Sequence, residues 1–261
     1  MFAIRLVYYY ILHFIKSTRL HGIHSPFVFD FYNRVIIHTG TYRIFPVIEK
    51  IRQDLFKSNK LIQIIDFGAG SQIRNTPTKT ISHIARTAAN PPHTAQLLFR
   101  LINFQQPATI LEIGTNLGIT TSYLAAAKKK ARVYTLEGCL DLVQQAQSLF
   151  KKLKLKNIEV LTGNFDDTLP ALLTTINTLD FVLFDGNHRY EPTLRYFEWC
   201  RVKATETSIF VFDDIYWSKE MQQAWRQICA HPEVMISIDL FYLGLVFFRK
   251  NQPKQHFTIR L

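Results

Sequence analysis

The residues best suited to chemistry lie near the middle of the chain, where an apolar segment ends in a glycine-containing turn. Residues 110–120 read Ile-Leu-Glu-Ile-Gly-Thr-Asn-Leu-Gly-Ile-Thr, so a carboxylate, Glu112, precedes Gly114 and Gly118. Glycine lets the backbone turn tightly against a ligand, and the free amides at the start of the following helix can bind it. A turn of this kind is weak evidence alone, so the residues downstream decide its meaning.

Polar positions further along the chain suit the ribose and the base of a nucleotide. Glu137 follows the apolar segment 132–136 about 23 positions after Gly114, the spacing expected for an acid that binds ribose hydroxyls. Asn164 and Phe165 follow the next apolar segment, and an amide with an aromatic ring can bracket a base. The predicted cofactor-binding residues are Glu112, Gly114, Thr115, Asn116, Gly118, Thr120, Glu137, Asn164, Phe165 and Asp185.

Two more apolar segments end in residues that can move protons or bind a substrate. Residues 181–184 run into Asp185-Gly186-Asn187-His188, and residues 208–212 run into Asp213-Asp214. Carboxylates that follow strands of an open parallel sheet lie in the ligand crevice. We therefore predict that Asp185 lies in this crevice, three residues before His188.

The elements that position these residues are predicted to alternate. Strands are predicted at 108–113, 132–136, 158–161, 180–184 and 208–212, and helices at 117–129, 141–154, 168–176, 191–202 and 218–230. This alternation indicates βαβ units and a parallel sheet. Residues 234–240 and 241–249 read as a hairpin that closes one sheet edge. The predicted fold class is α/β: a Rossmann-like seven-stranded sheet, mostly parallel with an antiparallel C-terminal hairpin strand, and helices on both faces.

The turn distinguishes between cofactor classes. Nicotinamide-binding folds usually carry G-x-G-x-x-G after the first strand, whereas this chain has Glu-x-Gly-x-x-x-Gly at residues 112–118 and no G-x-x-x-x-G-K-[ST] motif. The Glu112 carboxylate would repel a pyrophosphate and suits a cofactor with a positively charged amino-acid moiety. Electrostatics therefore favours S-adenosylmethionine.

With these motifs, residues 107–250 resemble a class I S-adenosylmethionine-dependent methyltransferase. Residues 112–120 are similar to the first motif of the small-molecule O-methyltransferases of the catechol and caffeoyl-coenzyme A types, with Thr120 where Ser is common. Residues 184–190 resemble the D-G-x-H-x-Y form of bacterial members, including sugar O-methyltransferases. The segment 21–26 resembles the start of a group of uncharacterised bacterial methyltransferases. The resemblance implies O-methylation of a small hydroxylated acceptor.

The resemblance also implies a divalent metal. In metal-dependent members an Asp after the fourth strand and an acidic pair after the fifth hold the cation, and the matching residues are Asp185, Asp213 and Asp214. Oxygen ligands suit Mg²⁺, Ca²⁺ or Mn²⁺. The alternative is that Asp213 and Asp214 cap the helix near Ser218 or bind substrate without metal. The family's usual base is a Lys at the position of His188, so the base here is His188 or Asp185.

Two other motifs have simpler interpretations. Residues 65–71 also end in a glycine-rich turn, but the polar sequence after them is broken by Pro77, so we interpret them as a structural turn. Asn90-Pro91-Pro92-His93 is similar to the Asn/Asp-Pro-Pro-aromatic motif of amino-group methyltransferases. It follows a predicted helix (79–88) and has His in place of the aromatic residue, so the prolines are predicted to separate two helices.

Composition limits the remaining choices. Three cysteines without a CxxC pair argue against a disulfide framework and a cysteine zinc site, and a reduced, cytoplasmic setting fits best. Residues 1–106 carry 13 Lys/Arg against 4 Asp/Glu, whereas residues 107–261 carry 18 against 16. The basic residues 1–106 suit an anionic partner, so an RNA or DNA methyltransferase is the alternative function. A non-catalytic binding module is the less favoured alternative.

Residues 1–106 are predicted to be a mainly helical extension, a cap or an oligomer contact, in front of the methyltransferase domain at 107–261. The first 15 residues are apolar, but about 20 are needed to span a bilayer. A helix at 1–19 that packs on the domain or on a second subunit, as in a homodimer, is the first interpretation. Peripheral membrane contact through residues 1–15 is the second.

Overall fold

The structure, a computed structural model, describes residues 2–18, 24–38, 40–64 and 78–260. The glycine-rich turn at 65–71 lies outside these residues. The helices are α1 (Phe2–Lys16), α2 (Pro26–Phe31), which continues as a π-helix (Tyr32–Ile36), α3 (Ile44–Leu55), α4 (Ile81–Thr87), α5 (Pro92–Gln105), α6 (Ile119–Ala127), α7 (Leu140–Lys152), α8 (Phe165–Thr175), α9 (Tyr190–Arg201) and α10 (Lys219–Ala230). The strands are β1 (Leu61–Gln63), β2 (Thr78–Thr80), β3 (Thr109–Ile113), β4 (Arg132–Glu137), β5 (Ile158–Thr162), β6 (Leu179–Phe184), β7 (Ala204–Asp213), β8 (Ile236–Asp239), β9 (Leu243–Phe247) and β10 (Gln255–Thr258).

The chain divides into two compact units. The middle unit comprises residues 39–175, and the terminal unit combines residues 1–38 with 176–261. Residues 39–106 therefore pack in the same unit as β3, β4 and β5, so the predicted boundary at residue 106 does not separate these units. The role of residues 1–106 as a cap or oligomer contact stays a prediction.

The middle unit is built on three parallel strands. β3 pairs with β4, and β4 pairs with β5, with Glu112 opposite Thr135 and Glu137 opposite Thr162. Residues 110–113 are buried on both faces of β3, as is usual for the interior of a parallel sheet. Side chains of α3, α5 and α6 pack together in the core of this unit. The Phe45 ring lies edge-on to that of Phe99, with 4.9 Å between the ring centroids.

The terminal unit contains β6 to β10, which form parallel and antiparallel pairs. β6 and β7 are parallel, β9 is antiparallel to both β7 and β8, and β10 is parallel to β8. Phenylalanines fill the space around β6 and β7, with Phe184 and Phe212 stacked at 4.4 Å. β10 was not predicted, because its sequence Gln-His-Phe-Thr is short and mostly polar.

The predicted alternation of strands and helices and the Rossmann-like fold class are confirmed. The predicted C-terminal hairpin is the β8–β9 pair, whose turn contains Phe241 in the left-handed region (φ 73°). The prolines after Asn90 separate α4 from α5 as predicted. Among the described residues, no helix is long and apolar enough to cross a membrane.

Candidate functional site

Glu112, the first of the predicted site residues, lies wholly inside the middle unit. Its side chain has no exposed surface, and its Oε2 accepts hydrogen bonds from the hydroxyls of Thr121 and Thr135, the latter at 2.6 Å. Its Oε1 has no hydrogen-bond partner among the described residues. Burial raises the pKa of Glu112 to about 7, even though the two threonine hydrogen bonds lower it. The Glu112 side chain therefore lies beneath the turn, in the interior of the unit, and is not exposed at the surface of the turn.

The turn after β3 is tied to the end of β4. The amides of Gly114 and Thr115 donate to the carbonyl of Leu136 at 3.0 and 3.1 Å. Gly114 has φ 108°, a conformation that side chains rarely adopt. The Thr115 hydroxyl is buried and shares a 2.6 Å hydrogen bond with Thr135, so this side chain belongs to the network around Glu112.

Gly118 begins α6 in the left-handed region (φ 78°) and also allows two helices to approach. A Cβ at this position would lie 2.7 Å from the Phe150 ring and 2.9 Å from the Ala146 Cβ, both on α7. Thr120 follows in the first turn of α6 and is buried. The second glycine of the motif therefore has a packing function that does not depend on a ligand.

Glu137 forms a direct hydrogen bond with the turn after β3. Its Oε2 accepts from the amide of Asn116 at 2.8 Å, and its Oε1 accepts from the amide of Cys139 at 3.0 Å. Burial raises the pKa of Glu137, and these backbone hydrogen bonds partly oppose that rise. A carboxylate has about four acceptor positions, so it keeps capacity for further hydroxyl donors. Residues 112, 114–116 and 137 form one group, which we call the cradle.

The third predicted segment lies beside the cradle. The amide of Gly163 donates to the carbonyl of Glu137 at 3.0 Å, so residues 163–165 follow β5 next to the end of β4. The Asn164 Oδ1 accepts from the amide of Asp166 at 3.2 Å and thereby caps the start of α8. Phe165 is the first residue of that helix and is partly buried.

The predicted catalytic residues gather in the terminal unit. Asp185 follows β6 directly, and its Oδ1 lies 3.8 Å from the Nε2 of His188. Asp213 ends β7, and Asp214 follows with φ 55°. Burial lowers the pKa of His188, and the charge of Asp214 opposes that shift. Burial has the opposite effect on the acid and raises the pKa of Asp214. At neutral pH the imidazole is therefore uncharged and able to accept a proton.

The described residues supply no cluster of three ligands for the predicted metal site. In the part of the chain that the structure describes, no three His, Cys, Asp or Glu side chains are arranged so that they could hold a metal ion. Asp214 turns in the left-handed region and interacts with His188. The metal site at Asp185, Asp213 and Asp214 stays a prediction, and no catalytic step is assigned to a metal.

The sequence analysis missed Thr121 and Thr135, the hydroxyl partners of Glu112. The available signal was Thr135, a polar residue within a buried strand and in register with Glu112. It also missed Ala88, whose carbonyl accepts from the Asn116 side chain at 2.8 Å and so joins the turn to the end of α4. No local pattern indicates that contact.

Comparisons with known proteins agree with this architecture. Residues 111–215 match a family model described as a methyltransferase domain. Over 79 residues the chain is 32% identical to the protein-L-isoaspartate O-methyltransferase of Jannaschia sp. (strain CCS1), which covers 30% of this chain and 35% of that protein. The chain thus spans about a third of the length of this curated relative.

Two solved structures share the fold. One is the O-methyltransferase TomG of Streptomyces achromogenes, involved in tomaymycin synthesis and in complex with S-adenosylmethionine (TM-score 0.56, 20% identity, 62% of this chain and 82% of that one). The other is an O-methyltransferase of Bacillus cereus in complex with S-adenosylhomocysteine (TM-score 0.57, 18% identity, 88% of this chain and all of that one). Residues 111–215 therefore match a methyltransferase domain, and the chain shares the fold of these two structures, as the class I resemblance implies.

Proposed function

We propose that this chain is an S-adenosylmethionine-dependent O-methyltransferase that acts on a small hydroxylated molecule. The observation that carries the proposal is the hydrogen bond from the Asn116 amide to Glu137. It brings the ribose-binding acid against the glycine turn, as a nucleoside cofactor requires. The relatives named above are O-methyltransferases, which supports oxygen as the acceptor atom.

In the proposed complex the cradle holds the cofactor. Glu137 accepts the ribose hydroxyls with the acceptor positions that its two backbone donors leave available. Asn164 and Phe165 lie beside the base. Glu112 acts from behind the turn, through Thr121 and Thr135, and therefore positions the turn without touching the ligand.

His188 is proposed as the general base. The cofactor's sulfonium supplies an already activated methyl group, so the protein must orient the acceptor and remove its hydroxyl proton. When the acceptor's oxygen bonds to the methyl group, the methyl–sulfur bond would break and the sulfur would leave as a neutral thioether. The acceptor's O–H bond breaks in the same step, and its proton passes to the uncharged imidazole of His188. Asp185 and Asp214 are close enough to stabilise the imidazolium that forms.

The alternative of a nucleic-acid substrate receives little support from the basic residues before residue 107. Arg52 is buried, donates to Glu49 at 2.9 Å and also donates to the carbonyl of Asn90 at 2.7 Å. Arg86 stacks over the ring of Phe56 at 4.7 Å. Since these cations serve internal contacts, the excess of basic residues is a poor measure of a phosphate-binding surface.

Isothermal titration with S-adenosylhomocysteine tests the cofactor assignment. We expect the wild-type chain to bind and Glu137→Ala to lose about two orders of magnitude in affinity, because charge-assisted hydrogen bonds contribute roughly 1.5–3 kcal/mol each. Glu159→Ala is the matched control, since Glu159 is exposed on the neighbouring strand β5. Equal affinities of the wild type and Glu137→Ala, with both folded by circular dichroism, would contradict the proposal.

A further inference from the structure

Helix α1 exposes an unusual amount of apolar surface. Ile4 is 77% exposed and Ile15 is 71% exposed, although both are large aliphatic residues. The exposed large hydrophobic residues of this 15-residue helix are Ile4, Val7, Tyr8, Tyr10, Ile11, Phe14 and Ile15. Contiguous exposed apolar surface on a folded protein usually marks an interaction site.

These residues form one face. Positions 4, 7, 8, 11 and 15 follow the three- and four-residue spacing that aligns side chains along a helix. Tyr10 and Phe14 widen this stripe on one side. We call these exposed side chains the outer face of α1.

The opposite face of α1 is already attached within the terminal unit. His13 is buried, and its Nε2 lies 3.2 Å from the Oδ1 of Asp239. Tyr9 packs on Tyr216 at 5.8 Å, and the guanidinium of Arg5 donates to the carbonyl of Trp217 at 2.7 Å. These contacts fix the orientation of α1, so the terminal unit cannot bury the outer face by rotating the helix.

Exposed aromatic residues lie beside α1. Trp217, whose carbonyl binds Arg5, is 49% exposed. Tyr242 is 45% exposed and packs on Phe241, which in turn packs on Tyr10. Tryptophan and tyrosine are enriched where a protein meets the boundary between lipid and water.

The charges beside the outer face have one sign. α1 contains no Asp or Glu, and its Lys16 is exposed, whereas its Arg5 belongs to the attached face. Arg260 adds a second cation, with its guanidinium 4.0 Å above the ring of Phe14. If α1 paired with a second copy of itself, cations would face cations and repel each other. An anionic surface would instead complement these positive charges.

We propose that the outer face of α1, together with Trp217 and Tyr242, docks on an anionic lipid bilayer. α1 lies in the plane of the interface, with its apolar side chains among the acyl chains and its cations at the headgroups. The helix is too short to span the bilayer. This inference does not depend on the proposed function.

Co-sedimentation of the full chain with lipid vesicles tests the proposal. We expect binding to vesicles that contain phosphatidylglycerol, weak binding to phosphatidylcholine alone, and loss of binding as salt increases. Ile11→Glu should weaken partitioning at least about tenfold because it removes buried apolar area. Lys16→Glu should also weaken it about tenfold or more, through charge alone.

Val202→Glu is the matched control, because Val202 is 72% exposed in the same unit but follows α9. It should bind vesicles as the wild type does. Wild-type protein that stays in the supernatant with anionic vesicles overturns the proposal, as does equal weakening by Ile11→Glu and Val202→Glu. A wild-type dimer in analytical ultracentrifugation that Ile11→Glu dissociates, without vesicle binding, assigns the surface to a second copy instead.

Discussion

Glu112 illustrates, at the scale of a single residue, how burial changes the chemistry of a carboxyl group. Desolvation raises its pKa from 4.5 to about 7, and the nearby Glu137 acts in the same direction. An acid that sequence reasoning placed against the cofactor is therefore an internal group, partly protonated near neutral pH. The hydroxyls of Thr121 and Thr135 maintain its position.

This raised pKa predicts a pH-dependent stability. Between pH 4.5 and about 7 the folded chain keeps a proton that the unfolded chain has released, so the contribution of Glu112 to stability falls as pH rises. Relative to Glu112→Gln, the wild-type free energy of unfolding should fall by up to about 3 kcal/mol across this window. Urea unfolding of both proteins without ligand at pH 5 and pH 8 measures it; a pH-independent difference between them would contradict the prediction.

The base assignment is also a prediction about one residue. Because burial lowers the pKa of His188, methyl transfer should increase with pH only below neutrality and be constant above it. His188→Gln should reduce the rate about 10²–10⁴-fold, the usual contribution of a general base. Transfer of a labelled methyl group to a panel of hydroxylated acceptors measures both effects. His231→Gln, which changes a histidine whose ring lies edge-on to that of Phe197, is the control; an equal loss in both variants would refute the role.

At the scale of elements, α1 is attached to the turn after β8 by a buried polar cluster. Asp239 accepts from the hydroxyl of Tyr216 at 2.7 Å and from the amide of Phe241 at 2.8 Å, and it also pairs with His13. The ring of Tyr216 stacks on that of Phe241 at 4.9 Å. Since Tyr216 follows Asp214 by two residues, the same cluster holds the loop that carries the predicted active-site acids.

Asp239→Asn should therefore destabilise the protein by about 2–4 kcal/mol, because it disturbs a buried network in which the carboxylate accepts two hydrogen bonds and contacts His13. Asp30→Asn breaks the exposed pair with Arg34 and should cost at most about 1 kcal/mol. Urea unfolding measures both values, and amide hydrogen exchange of residues 4–16 reports whether α1 detaches. Equal small effects of the two substitutions would show that the cluster does not anchor the helix.

At the scale of the whole molecule, sequence neighbours and spatial neighbours differ. The terminal unit joins residues 1–38 to residues 176–261, so His13 contacts a residue 226 positions away. The predicted division at residue 106 followed the start of the first predicted core strand and its motif, which are local signals. Packing instead placed residues 39–106 with β3, β4 and β5.

The sequence by itself determined the class of fold and the positions of most strands and helices. Apolar periodicity, glycines and strand-end acids are local signals, and each reflects forces acting over a few residues. Only the tertiary structure decided that Glu112 is buried and that His13 contacts Asp239. Desolvation and long-range contacts depend on which surfaces meet, and that depends on the packing of the whole chain.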